Sequence, residues 1–326
     1  MTHLREILVV VPALNEARHI VGCLESLLCD DPDLAVIVAD GGSTDQTRAL
    51  VAGLVPQYPN LRVMDNPGRL QSAGINRAVE LCAGPEHRVL VRCDAHAGYP
   101  AGFVMAVAAT MDLQGAASVV VPMDSIGQTG FACAAAWIVD TPLGSGGSAH
   151  RGRRGGGHRS GPVDHGHHAG MSLDWFRRIG GYDPGFSHNE DAEYDHRLRL
   201  AGGLIWMQSD IWLDYVMRPT FRALARQYWH YGRGRARTVL KHRMRPRLRQ
   251  LIPAVNLVGM VLALGVAVVW PWTLLWPLAY LLALGLVSLA GMRAKGLDGL
   301  WAGPALFAMH NFWAAGFLAR IVQGRA

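Results

Sequence analysis

Carboxylates placed where an apolar run gives out are the first chemistry legible in this chain. Asp40-Gly41-Gly42-Ser43-Thr44-Asp45 closes the run 35–39. Its two acids can grip a nucleoside, Gly42 and its neighbour let backbone approach a ligand, and the Ser/Thr pair can open a helix. The plainer alternative is that both acids cap a turn. Val11-Pro12-Ala13-Leu14-Asn15-Glu16 ends an earlier run, with Pro12 closing strand pairing and Asn15 available as a helix cap. Asn66-Pro67-Gly68-Arg69 puts a guanidinium near a helix start, which suits a diphosphate, although Arg69 taken alone also reads as a surface residue. The run 89–91 delivers Asp94 and His96, and residues i and i+2 of an extended segment point the same way, so the two can converge on one divalent cation. Last comes Asn189-Glu190-Asp191-Ala192-Glu193. A positioned carboxylate there can accept the proton of an attacking hydroxyl, and Glu190, Asp191 and Glu193 are all eligible. The rival reading is an acidic first turn favoured by the helix dipole.

These groups need a scaffold that brings strand ends together. Apolar runs at 7–11, 35–39, 61–64, 89–91 and 118–121 alternate with amphipathic stretches, which predicts an α/β, doubly wound and mostly parallel sheet. Such sheets bind ligands beyond the carboxyl ends of their strands. Residues 144–170 are rich in Gly, His and Arg and are predicted to form a loop rather than a core element. Within it Val163-Asp164-His165-Gly166-His167-His168 lacks thiols and a zinc-ligand spacing, so His165, His167 and His168 read better as contacts to an acceptor.

The formal charge of +6 points less to nucleic acid than to a surface of anionic lipid, because the excess gathers at 218–249, directly before a strongly apolar tail. There Arg226-Gln227-Tyr228-Trp229 mixes cations with aromatics, as an interfacial helix does, with Gln227 and Trp229 placed to meet a lipid-borne acceptor. Residues 252–270 and 272–292 each have the length to cross a bilayer, and 300–322 is a third membrane helix in spite of His310, Asn311 and Arg320. Cations before the first span and after the second predict cytoplasmic flanks and a catalytic domain facing the cytoplasm. The five cysteines form no C-x-x-C pair and read as reduced thiols, and no cleavable signal precedes the first strand. The expected domains are 1–225, catalytic; 226–250, basic and interfacial; and 251–326, membrane-embedded.

Taken in order, these motifs resemble the family 2 glycosyltransferases of the GT-A fold over roughly residues 7–240. The resemblance implies that Asp40 and Asp45 contact the nucleoside, with Pro12, Asn15, Glu16, Gly42 and Arg69 in the donor site. It also implies that Asp94 holds Mn²⁺ or Mg²⁺ against the donor diphosphate. His96 stands where the family's D-x-D motif has its second acid, and imidazole suits Mn²⁺ better than Mg²⁺. The acidic segment is similar to the family's "ED" segment, in which the second acid, here Asp191, is the base, with Glu190 beside it. The D-A-H motif, the H-G-H-H loop and the apolar tail are similar to the succinoglycan-type glucosyltransferases of the exopolysaccharide branch. That likeness implies a UDP-glucose donor and a polyprenyl-diphosphate-linked acceptor. A single in-line displacement, with the base on the face opposite the departing diphosphate, predicts inversion; a polymerising synthase would carry more membrane spans, so single addition is expected, and the cationic flanks predict the inner membrane. Two other readings were open. An NDP-sugar nucleotidyltransferase would carry a G-x-G-T-R-like loop where this chain has Pro12-Ala13-Leu14-Asn15, and a non-catalytic membrane scaffold would not need to keep Asp40, Asp45, Asp94 and Asp191.

Overall fold

A computed structural model describes residues 2–29, 31–148, 150–151 and 159–324. The chain divides into two compact units, Met1–Asp124 with Gly156–Tyr215, and Ser125–Gly155 with Val216–Ala326. The segment Ser125–Gly155, which lies inside the expected catalytic domain, clusters with the C-terminal helices.

The strands are β1 (Ile7–Ala13), β2 (Ala35–Asp40), β3 (Leu61–Asp65), β4 (Val89–Arg92), β5 (Ala97–Gly98), β6 (Ser118–Val121), β7 (Met123–Ile126), β8 (Gly161–Pro162), β9 (His167–Ser172), β10 (Ile205–Met207) and β11 (Leu213–Val216). Eight of them make one sheet in the order β3-β2-β1-β4-β9-β6-β10-β8, and β5-β11-β7 make a second. All five apolar runs form strands of the large sheet. β1 and β2 are buried almost throughout, as strands covered on both faces by helices must be. β1, β2, β3 and β4 run parallel, and their register sets Ala13 beside Asp40 and Asp40 beside Asp65. The acids therefore stand level at one edge of the sheet. Leu8, Val10, Ile37 and Leu90 form a core with Ile75 and Ala78 of the helix Gln71–Cys82 and with Tyr182 and Tyr194.

The expected loop at 144–170 is corrected in part. Residues 149 and 152–158 lie outside the described residues, but 161–162 and 167–170 are strand. β9 lies in the middle of the sheet, antiparallel to both β4 and β6. Because it runs the other way, its first residue, His167, pairs with the last residue of β6 and arrives at the edge where the parallel strands end. Gly170 makes the strand possible, since a Cβ there would collide with Val107 of the helix Phe103–Gln114 packed above.

In the second unit a basic helix, Phe221–His242, is capped by Thr220 and followed by the helices Leu248–Val266, Leu275–Lys295 and Ala302–Gln323. Two stretches, Leu248–Val266 and Pro271–Gln323, are long and apolar enough to cross a membrane. The three apolar helices differ in burial. Each of the first two buries only two residues and turns leucines, valines and tryptophans outward. The last buries ten. It packs along the basic helix, where a Cβ on Gly232 would strike the Trp313 carbonyl and one on Gly316 the Trp229 carbonyl. Its polar groups are satisfied within the unit: Asn311 donates to the Tyr280 hydroxyl (3.1 Å) and His310 Nε2 meets the Leu143 carbonyl (2.9 Å).

Candidate active site

The loops after β1 and β2 are knitted together. Asn15, at φ 58°, accepts from the Thr44 amide (2.8 Å), while its own amide donates to Ser43 Oγ (2.9 Å). The Glu16 amide donates to Thr47 Oγ1 and the Ala17 amide to Asp45 Oδ2. Asp45 also accepts from the Thr47 amide, so it caps the start of the helix Thr47–Leu54. Asp40 is buried beneath its own turn and accepts from the amides of Gly42 (3.1 Å) and Ser43 (3.2 Å) and from Arg48 (3.1 Å). Burial works against its charge, but these bonds, Ser43 first, outweigh it and hold its pKa below the usual range. Arg48 also meets Asp65 (2.6 Å), and a Cβ on Gly41 would lie 3.1 Å from the Arg69 carbonyl, which brings the Arg69 turn against the Asp40 loop. Pro12, near the end of β1, is half-buried and pairs in register with Ala39.

Asp94 follows β4, and the extended geometry expected for Asp94 and His96 is not kept. The strand stops at Arg92 and the chain turns at Ala95 and His96 before β5. His96 Nδ1 instead meets Glu16 Oε1 at 3.3 Å, joining this turn to the loop after β1. Burial disfavours its charge, yet Glu16 and Asp94 together raise its pKa to about 9. Asp94 Oδ1 accepts from Gln71 (3.0 Å) and from Arg92 (3.2 and 3.4 Å), whereas Oδ2 lies 3.7 Å from His167 Nε2. Burial opposes the charge on Asp94, and Arg92, followed by His167 and His96, holds its pKa far below the usual range.

Among the described residues no three His, Cys, Asp or Glu side chains are arranged to cage a metal by themselves. The donor set still fits an ion shared with a ligand. Among the described residues Asp94 Oδ2 makes no hydrogen bond; it faces the His167 imidazole at 3.7 Å, with the charge of His96 near enough to act on it, which leaves the remaining positions of a hard cation for phosphate oxygens and water.

The acidic segment begins the helix Glu190–Leu200, entered through Asn189 at φ 60°. Glu190 is buried, with Oε1 3.8 Å from Arg92 Nη1. Burial, only partly offset by Arg92 and aggravated by Asp191, raises its pKa to about 7. The partner acid moves the other way: burial opposes the charge on Asp191, but His165, His168 and Arg92 lower its pKa. Glu193 is fully buried and paired with Arg197 (2.8 and 2.9 Å), which ties it to the helix itself. Beneath the acids lies a buried network. His168 Nε2 meets Asp195 Oδ1 (2.7 Å), His165 Nδ1 meets Asp195 Oδ2 (2.7 Å), and His168 Nδ1 meets the Tyr182 hydroxyl (2.5 Å).

The candidate residues therefore form one connected cluster: Asn15 and Asp45 bind loop to loop, Glu16 reaches His96, and Asp94 is linked through Arg92 to Glu190. His168 lies wholly inside it and His165 only partly, while Gln227 and Trp229 sit on the basic helix of the second unit. Sequence reasoning passed over Arg48, Gln71, Arg92 and Asp195. A cation within an apolar strand, Val91-Arg92-Cys93, was the one signal available for Arg92.

This edge of a mostly parallel sheet gathers acids at successive strand ends with an acidic helix start beside them. The chain belongs to glycosyl transferase family 2, whose profile matches residues 8–180. It is a glycosyltransferase of the GT-A fold. It is 40% identical over 335 residues, 98% of this chain and 96% of the relative, to the succinoglycan biosynthesis protein ExoA of Rhizobium meliloti (strain 1021). The fold is shared with the mannosyltransferase PcManGT of Pyrobaculum calidifontis, solved with GDP-Man and Mn²⁺, at a TM-score of 0.60 and 17% identity, covering 98% of this chain and 87% of that one. It is shared also with S. aureus TarS 1–349, solved with UDP-GlcNAc, at a TM-score of 0.50 and 14% identity over 98% and 92% of the two chains.

Proposed function

We propose that this enzyme transfers a hexose, with UDP-glucose as the expected donor, to a polyprenyl-diphosphate-linked saccharide during exopolysaccharide assembly, with inversion at the anomeric carbon. The observation that carries the reading is the Arg92 guanidinium standing between the donor-side acid Asp94 and the acidic pair Glu190–Asp191. Asp40 and Asp45 hold the nucleoside with the Gly42 turn, Arg69 faces the diphosphate, and Asp191 takes the acceptor proton. Asp191 suits that role because its surroundings hold its pKa below the usual carboxylate range, whereas burial raises that of Glu190 to about 7. A base on the face of the sugar opposite the departing diphosphate gives a single displacement, hence inversion.

Asp94 and His96, with His167 adjoining, are the residues that would hold Mn²⁺ or Mg²⁺. Such an ion supplies offsetting charge for the leaving diphosphate. Donor and acceptor preference is tested by incubating purified enzyme with radiolabelled UDP-glucose and lipid acceptor. One added residue is the expected outcome; a ladder of products, or transfer only from another sugar nucleotide, overturns that part of the reading.

The outward apolar faces of Leu248–Val266 and Leu275–Lys295 support a hairpin through the inner membrane, with cytoplasmic flanks marked by Arg243, Arg245, Arg247 and Arg249 before it and Arg293 and Lys295 after it. The helix Ala302–Gln323 is read differently from the sequence expectation. It lies along a helix that carries Arg222, Arg226, Arg233, Arg235, Arg237 and Lys241, charges that cannot follow it into hydrocarbon. It stays in the interface, and the C-terminus faces the same side as the catalytic domain. A C-terminal phosphatase fusion silent in the periplasm supports this topology; an active one overturns it.

A further inference from the structure

A buried arginine in the middle of an apolar strand needs an explanation. Arg92 ends β4 between Val91 and Cys93, both fully buried, and is itself only 6% exposed. Burying a guanidinium is costly unless its donors are met. Two are: Nε and Nη2 both reach Asp94 Oδ1. The third nitrogen, Nη1, is sealed from solvent and makes no hydrogen bond among the described residues. The nearest acid to it is Glu190, whose Oε1 is 3.8 Å away.

Pairing with Asp94 alone does not account for this third arm. We infer that Arg92 is a positioning residue, a strut that joins the donor carboxylate Asp94 to the base-bearing turn through Glu190. The geometry on the far side agrees. Asn189 enters the helix in the left-handed region, so the first turn hangs on a sharply bent backbone with Asp191 one residue beyond Glu190. A contact that fixes Glu190 fixes the direction in which Asp191 faces. A closure of about 0.8 Å brings Nη1 to ordinary hydrogen-bond length from Glu190. Arginine is the side chain for the task, because its planar fork serves two carboxylates at once and a lysine ammonium does not.

The inference rests on the transferase reading, and its test separates the two. Arg92→Lys, Glu190→Gln and the double variant are compared for transfer kinetics with UDP-glucose and for thermal melting. Arg92→Lys is expected to lower kcat about 100-fold, the scale of an ångström's misplacement of reacting groups, with a change of about threefold or less in acceptor KM. The double variant is expected to be no slower than Arg92→Lys alone, since both changes remove one contact. Losses that multiply, or a wild-type kcat in Arg92→Lys, overturn the strut. The melting cycle reads the same coupling without any donor, so a wild-type enzyme that turns over no UDP-glucose sinks the donor assignment while the strut is still judged. Should Arg92→Lys fail to fold, a crystal structure with UDP and Mn²⁺ decides. Nη1 within hydrogen-bond distance of Glu190 supports the role, and a separation kept beyond 4 Å overturns it.

Discussion

The two neighbouring acids at the start of the ED helix should leave different marks on the pH–rate profile. Glu190 sits near pH 7 because burial outweighs what Arg92 returns to it, while Asp191 is held below the normal carboxylate range. A carboxylate is half ionised at its pKa and about 10% ionised one pH unit below it, so a base with the properties of Glu190 would lose about fivefold in kcat/KM between pH 7 and 6, and about tenfold more by pH 5. With Asp191 as base, kcat/KM is instead expected to hold within about threefold from pH 8 to pH 6. The assay is the initial rate of UDP release at subsaturating donor, in buffers of constant ionic strength. Mn²⁺ is kept saturating throughout. Glu190→Gln should retain measurable transfer, whereas Asp191→Asn should lose about 10²- to 10⁴-fold in kcat. A fall of about fivefold from pH 7 to 6 and about tenfold more by pH 5, abolished along with activity by Glu190→Gln, would refute the assignment. The linkage for stability runs the same way for Glu190. A folded pKa raised above the ordinary glutamate value of 4.5 makes a contribution that is full below pH 4.5 and lost as pH rises through about 7.

Three other outcomes follow from the packing. Asp195 accepts from two histidines while 1% exposed, so Asp195→Asn should cost about 3–5 kcal/mol, seen as a fall in Tm. Its pKa, lowered to about 2 because His168 and His165 outweigh its burial, gives stability that is present above pH 3.8 and lost as pH falls towards 2; acid melts of wild type and variant should therefore converge there. Gly232→Val would drive a side chain into the Trp313 backbone and should destabilise the second unit by about 1–3 kcal/mol or more, whereas the same change at Gly53, which has open space around it, should do far less; differential scanning calorimetry reads both. Cys29 is exposed while burial pushes the Cys23 thiol up to about 12, so a thiol reagent at pH 8 should label Cys29 and leave Cys23 unmodified in the folded enzyme.

The parts of this molecule that could be read from its sequence are those whose signal is local. β1 and β2 carry unbroken apolar runs, Asp40 ends its strand and Asp94 lies two residues past the end of its own, so pattern alone set them at one edge of a sheet. β9 carries no such pattern. His-His-Ala-Gly-Met-Ser reads as a polar loop, and it can be a central strand because Tyr182 and Asp195, 14 and 27 residues further on, satisfy His168. Arg92 was hidden in part for the same reason: Asp94, two residues on, meets two of its nitrogens, but the other acid beside it, Glu190, lies nearly a hundred residues away in the chain. Spacing misled at Asp94 and His96, because the i, i+2 rule holds only while the strand continues, and here it ends at Arg92. Hydropathy likewise reports the composition of Ala302–Gln323 but not its partner. Only the mutual approach of Gly232 and Gly316 to the opposing backbones shows that much of its surface is covered by protein.

The central claim is that carboxylates from separate strand ends serve one pocket for a sugar nucleotide and its ion. Calorimetric titration of UDP into the detergent-solubilised enzyme, with and without Mn²⁺, tests it most directly. Binding should require the ion, weaken at least tenfold in Asp94→Asn, and be unchanged in Asp191→Asn, which loses turnover but not the donor. UDP binding that is indifferent to Mn²⁺ and equal in wild type and Asp94→Asn would contradict the account.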